Sequence, residues 1–285
     1  MRATALDPVH ASLGEGPLWD AERGVVHWVD IDASTWHRWS VRDGALPVVH
    51  VPQTPGFLVL QANAGLLAGV ESGFAMLHED GTLTMLAEVE TRPDHRMNDG
   101  EADPQGRVWG STVARSCDQP TGALWRLDLD GTAHVALEPV TIGNGIAFSD
   151  DGARMWFVDS ARRAVDLLDI DPATGDLSNR RTLVRFPAGE EPDGLCLDGE
   201  GGLWVAVWNG WSVRRYDPDG RETARVDVPT ARVTSCAFGG PELDVLFITT
   251  AAKGDRDDPL AGALFCAEPG VRGRLPYSVK VGAPR

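Results

Sequence analysis

Four pairs of an oxygen-bearing residue and a glycine recur along this sequence: Glu15-Gly16, Asp99-Gly100, Asn144-Gly145 and Asp193-Gly194. Carboxylate and amide oxygens are the donors a hard divalent cation takes, and the glycine that follows permits a tight turn and close backbone approach. Asn-Gly and Asp-Gly are also ordinary turn dipeptides, so one pair alone reads as turn chemistry. Nucleophilic serine chemistry finds no support, because no G-x-S-x-G elbow occurs. His95, beside Arg96, is the one histidine near these positions; it reads as a turn residue, with general-base service as its alternative.

The elements that must position these residues form a repeat. A short apolar strand, a turn, a second strand rich in Trp and Val and two further strands recur six times. The first strands begin near EGPLWD, FLVLQA, DGEADP, NGIAFSDD, DGLCLD and SCAFGG, which places Glu15, Phe57, Asp99, Asn144, Asp193 and Ser235 in register. Their spacing, about 42 to 49 residues, is that of a four-stranded unit. No segment of about ten residues carries a helical period, so the expected fold is all-β, with almost no helix. Residues 1–285 are expected to form a single domain, a six-bladed β-propeller with four-stranded blades around a central metal-binding channel. Closure of the sixth blade calls for a strand from one terminus; residues 2–10 and the tail GRLPYSVKVG are the candidates.

Equivalent positions in units arranged about an axis lie on one ring. Side chains at the start of each innermost strand would then converge near the mouth of the channel. Carboxylates gathered there repel one another and raise one another's pKa unless a cation neutralises them, and one divalent ion resolves the conflict. The alternative is a set of polar residues that wets a water-filled channel.

Composition limits the other classes. The 32 Gly and 19 Pro are too much punctuation for a helical protein, and ten Trp within a 42% hydrophobic composition supply a large core. A formal charge of −16 without a Lys/Arg cluster argues against nucleic acid or an anionic membrane as partner. The N-terminus carries no apolar run of signal-peptide length and no stretch of about 18 apolar residues occurs, which gives the expectation of a cytoplasmic protein. Cys117, Cys196, Cys236 and Cys266 lack metal-site spacing and read as free thiols. Oligomeric state is left open by the sequence.

The segments LGEGPLWD, RMNDGEADPQGRVWGSTV, GNGIAFSDDGARMWFVDS, EPDGLCLDGEGGLWVAVWNG and LAGALF, spread over nearly the whole chain, are similar to those of the SMP-30/gluconolactonase/luciferin-regenerating-enzyme-like family. The resemblance implies a six-bladed propeller and one divalent metal bound at Glu15, Asn144 and Asp193. It implies that Arg96 and Asn98 contact substrate or complete the metal site; the attacking water is activated either by the metal itself or by Asp193, which then serves as catalytic base as well as ligand. The implied reaction is hydrolysis of a small sugar-acid lactone to the free aldonic acid. An all-oxygen donor set suits Ca2+, Mg2+ or Mn2+. The resemblance also admits Zn2+ or Fe2+, with Ca2+ and Zn2+ placed first. For Arg96 the alternative is a surface ion pair with Asp94 or Asp99; for Asp99, a supporting place in the turn while Asn98 faces inward. Some sugar-lactonase relatives carry acidic residues where this chain has Arg115 and Ser116, which implies a different substrate preference. The loop KGDRDDPLAG reads as an exposed charged loop, with Lys253, Asp255 and Asp258 at the entrance as the alternative. Competing functions are a metal-dependent hydrolase of other esters or phosphotriesters, and a non-catalytic calcium-binding protein.

Overall fold

The turn residues and alternating apolar runs of the repeat fold as expected into antiparallel sheets. The computed structural model describes residues 1–7, 10–62, 65–253 and 257–281. Strands account for nearly all of the regular structure among them, and the one helical element is a 3-10 turn at Ser160–Arg162. No helix among the described residues is long and apolar enough to cross a membrane. Six sheets are present, the blade set of a six-bladed β-propeller, and the chain divides into two compact units of three sheets each.

The first unit comprises Met1–His50 with Phe186–Leu275. One of its sheets opens with Gly14–Asp20 and continues through Val25–Asp30 and Thr35–Ser40; Glu191–Leu197 opens the next, and Val233–Gly239 the last. This last sheet is completed by Thr4–Asp7, which pairs antiparallel with Leu264–Ala267. The N-terminus is therefore the strand that closes the sixth sheet. Of the C-terminal tail, Gly273 makes one isolated bridge to Asp198 in this unit.

The second unit comprises Val51–Arg185 with the stretch from Pro276. Its sheets open with Phe57–Leu60, His95–Ala102 and Gly143–Phe148. Val279 bridges to Gln61 and packs, with Val281, into a core built on Phe57, Phe74, Met97 and Val108.

Second strands supply much of both cores, which is why they are rich in Trp and Val. Trp28 and Trp204 in the first unit and Trp109 in the second are fully buried. An indole N–H cannot be buried unpaired without loss. Trp109 Nε1 donates to Asp103 Oδ2 and Trp204 Nε1 to Asp198 Oδ2, each at 2.9 Å. In both sheets the aspartate lies at the turn six residues earlier, so one carboxylate closes the hairpin and satisfies the core.

Candidate functional site

First strands are where the repeat departs from regular pairing. The register slips by one residue between Glu15 and Leu18, Met97 and Gly100, Asn144 and Ile146, Pro192 and Leu195, and Val233 and Ser235. Phe57–Leu60 pairs without a slip. A β-bulge bends the strand and re-aims a side chain, and each slip falls at or beside a residue of the register read from the sequence. Strand boundaries lie one to a few residues earlier than expected at most of these positions, because pairing continues on the far side of the bulge.

Glycines beside these residues let neighbouring sheets approach closely. In the first unit, a Cβ on Gly194 would stand 2.0 Å from Ser235 Oγ. In the second, a Cβ on Gly143 would stand 2.5 Å from Ser111 Cβ, and Ser111 Oγ donates to Gly143 O at 2.7 Å.

One aspartate braces each of two bulged strands, and the two braces match. In the first unit Asp30 accepts from the backbone N–H groups of Ser12, at 2.7 Å, and Leu13, at 3.1 Å. In the second Asp159 accepts from Thr141 and Ile142, each at 3.1 Å. Leu13-Gly14-Glu15-Gly16 and Ile142-Gly143-Asn144-Gly145 thus start their strands from the same hydrogen-bonded frame, with Glu15 and Asn144 at the same place in it.

The expected site residues divide between the units: Glu15 and Asp193 in the first, Arg96, Asn98, Asp99 and Asn144 in the second. Glu15, Arg96, Asn98, Asn144 and Asp193 are all buried, with exposures of 6% to 8%. Arg96 at 7% is therefore no surface residue. Its Nη1 donates to Met97 O at 2.9 Å and to Asn98 Oδ1 at 2.6 Å. Asn98 Nδ2 donates to Gly143 O at 2.8 Å and to Asn144 Oδ1 at 2.7 Å, and Asn144 Nδ2 donates to Ser160 Oγ at 2.8 Å. Arg96, Asn98, Asn144 and Ser160 thus form one hydrogen-bonded chain across two sheets of the second unit.

The bulge sets Asn98 and Asp99 together opposite a single partner residue, and Asn98 is the one that reaches Asn144. Asp99 is left half-buried, with its Oδ1 on the Gly100 N–H at 2.7 Å. Burial pushes its carboxyl up to about 6. Burial likewise raises Glu101, two residues on, to about 8, with the charge of Asp99 adding to the shift. His95 opens the strand rather than sitting in the turn, and both ring nitrogens have partners: Nδ1 with Asp94 Oδ1 and Nε2 with Thr121 Oγ1, each at 2.8 Å. Arg115 is ion-paired with Glu71, and Ser116 Oγ donates to Asp118 Oδ1. In the charged loop, Lys253 Nζ pairs with Asp32 at 2.9 Å and Asp258 accepts from the Leu260 N–H; Asp255 lies outside the described residues.

Sequence reasoning missed Asp30, Asp159 and Ser160. The signal was present in the second strands, which end on the shared WVDI and FVDS, yet nothing local shows that such an aspartate reaches back to the start of the first strand. Among the described residues no group of three or more His, Cys, Asp or Glu side chains forms a metal site. Each expected donor has chemistry that suits a hard cation: in the first unit the carboxylates of Glu15 and Asp193 are buried, and in the second the Asn144 amide has its nitrogen committed to Ser160 while its oxygen keeps a second lone pair.

Comparison with known proteins follows the same lines. The family model described as SMP-30/Gluconolactonase/LRE-like region matches residues 13–252. Pentonolactonase XacC of Haloferax volcanii is 37% identical over 284 residues, covering 96% of this chain and 97% of that protein. Regucalcin of Xenopus laevis is 35% identical over 279 residues, covering 93% of each. The crystal structure of a calcium-binding protein, regucalcin, from Agrobacterium tumefaciens superposes with a TM-score of 0.92 at 28% identity, covering 98% of this chain and 97% of that one.

Proposed function

The chain belongs to the SMP-30/gluconolactonase/LRE-like family, and from that premise we propose that it hydrolyses a sugar-acid lactone to the free aldonic acid with the help of one divalent metal ion held by Glu15, Asn144 and Asp193. As a lactonase it is a carboxylic-ester hydrolase. The observation that carries the metal proposal is the matched frame that presents an oxygen donor at Glu15 and again at Asn144. Ca2+ and Zn2+ head the candidates, with Mg2+, Mn2+ and Fe2+ also compatible with the family.

When bound, such an ion supplies Lewis-acid polarisation of the ester carbonyl and charge for the developing oxyanion. The remaining roles fall to the chain. Asp193 takes the proton of the attacking water on a carboxylate oxygen. Water adds to the carbonyl carbon, the ring C–O bond breaks, and the proton passes to the departing alkoxide, giving the hydroxy acid. Arg96 donates to the lactone oxygens. Asn98, with both amide protons committed, serves substrate only as an acceptor through the remaining lone pair of Oδ1. The proposed compartment is the cytoplasm, and four unbridged cysteines support a reducing one.

A non-catalytic calcium-holding role is the second reading, favoured by the likeness to the calcium-binding Agrobacterium protein. Turnover separates the two. Ring opening of five- and six-membered aldonolactones releases acid that a pH-stat follows directly; the expected result is metal-stimulated turnover of at least one of them. A panel with no enzymatic turnover in metal-loaded protein would leave the calcium-holding role.

A further inference from the structure

The polarity of the amide chain in the second unit is fixed by chemistry. A guanidinium only donates and a backbone carbonyl only accepts. Arg96 Nη1 lies 2.6 Å from one end of the Asn98 amide, so that end is Oδ1; Gly143 O lies 2.8 Å from the other, so that end is Nδ2. Both orientations of Asn98 that an amide allows are thereby reduced to one. The Nδ2 group, 2.7 Å from Asn144, then demands an acceptor, which sets Asn144 Oδ1 toward Asn98 and Asn144 Nδ2 toward Ser160. The Asn98 donor, fixed by Arg96 and Gly143, is therefore sufficient by itself to require an oxygen at that end of the Asn144 amide.

We infer that Asn98 is a positioning residue: by donating to Asn144 Oδ1 it holds the Asn144 amide in the one orientation that keeps its oxygen, rather than its nitrogen, on the side where a cation is to be bound. Its own two protons are spent on Gly143 and Asn144, so it acts on the ion through Asn144. This rests on the proposed metal trio, and it assigns to Asn98 a task separate from substrate contact.

The test is the isosteric substitution Asn98→Asp, for which simple electrostatics and amide polarity give opposite signs. An added carboxylate beside a divalent cation tightens binding by charge alone. The carboxylate that replaces the Asn98 amide can accept from Arg96 but cannot donate to Asn144, so it turns the Asn144 amide over and weakens binding. Chelator-stripped wild type and variant are titrated calorimetrically with CaCl2 and with ZnCl2, and the melting temperature of each metal-free protein is recorded. The expected result is an affinity loss of about ten- to a hundred-fold in Asn98→Asp, the range typical of groups that orient metal ligands, with a metal-free melting temperature lowered by the loss of the donor to Gly143 O but a protein still folded. Equal or tighter binding by the variant overturns the inference. Absence of binding by wild type overturns the metal trio instead, and the positioning role with it. If Asn98→Asp does not fold, Ser160→Ala decides. That variant removes the acceptor from Asn144 Nδ2 while Asn98 still holds Oδ1, so affinity should fall by less than about ten-fold; a loss of about a hundred-fold or more would place the orienting role on Ser160 and overturn it for Asn98.

Discussion

Asp99 and Glu101 are carboxyls that the protein holds against their preference for water. Burial raises them from ordinary values of 3.8 and 4.5 to about 6 and about 8. The folded state therefore favours their protonated forms, and the stability this contributes is complete below the unfolded values and lost as pH rises through the folded ones. For Glu101 the window runs from 4.5 to about 8. In chelator-treated protein, Glu101→Gln should match wild type near the low end of that window and exceed it at the high end, by an amount on the order of 2–4 kcal/mol. Melting temperature against pH reads this directly; parallel curves for the two proteins would contradict it. At this scale the sequence was legible for residue types and partly for direction. The family resemblance brought Arg96 and Asn98 to the site of Asn144, but the sequence left Asn98 and Asp99 to compete for one inward place. Only the bulge, which depends on the partner strand, resolves that competition.

Two strand starts depend on carboxylates from the ends of second strands. Asp159 sits at the end of Arg154–Asp159 and accepts from two backbone N–H groups ahead of Gly143–Phe148, as Asp30 does ahead of Gly14–Asp20. Removing such an acceptor leaves buried donors unpaired, which costs about 1–3 kcal/mol for each group left unsatisfied. Asp159→Ala should accordingly lose about 2–4 kcal/mol in urea unfolding. It should also bind divalent cation more weakly than wild type, since the frame that carries Asn144 is loosened. An unchanged urea midpoint would show that the brace is replaced by water. The hairpin grammar of the second and third strands could be read from Gly, Asp and alternating apolar residues, whereas the braces could not. They join the end of one strand to the start of its neighbour about 18 residues earlier in sequence, a separation at which strand-level patterns carry no signal.

The six-fold repeat was the most legible feature of the chain, because every unit must bury the same faces and so repeats the same apolar pattern. Which terminus completes the sixth sheet was not legible. Residues 2–10 and the tail both carry strand-like apolar residues, and the choice of Thr4–Asp7 rests on its pairing with Leu264–Ala267. The tail instead contributes isolated bridges at Gly273 and Val279. Family membership adds what periodicity cannot, a reaction class; the donor trio drawn from three separate repeats is a proposal built on it. Residues 1–285 as one domain is the proposal that goes with that trio, since Glu15, Asn144 and Asp193 then serve a single ion.

The proposed metal-dependent lactonase activity is tested most directly by restoring metal to stripped protein while lactone hydrolysis is followed by pH-stat. Chelated protein should fall to the rate of spontaneous ring opening. Added divalent cation should bring activity back in proportion to site occupancy, saturating at one ion per chain, and Asp193→Ala, folded to the same melting temperature when metal-free, should stay at the spontaneous rate at any metal concentration. Full activity in the stripped protein, or near-normal kcat in Asp193→Ala at saturating metal, would contradict a single catalytic ion held by Glu15, Asn144 and Asp193.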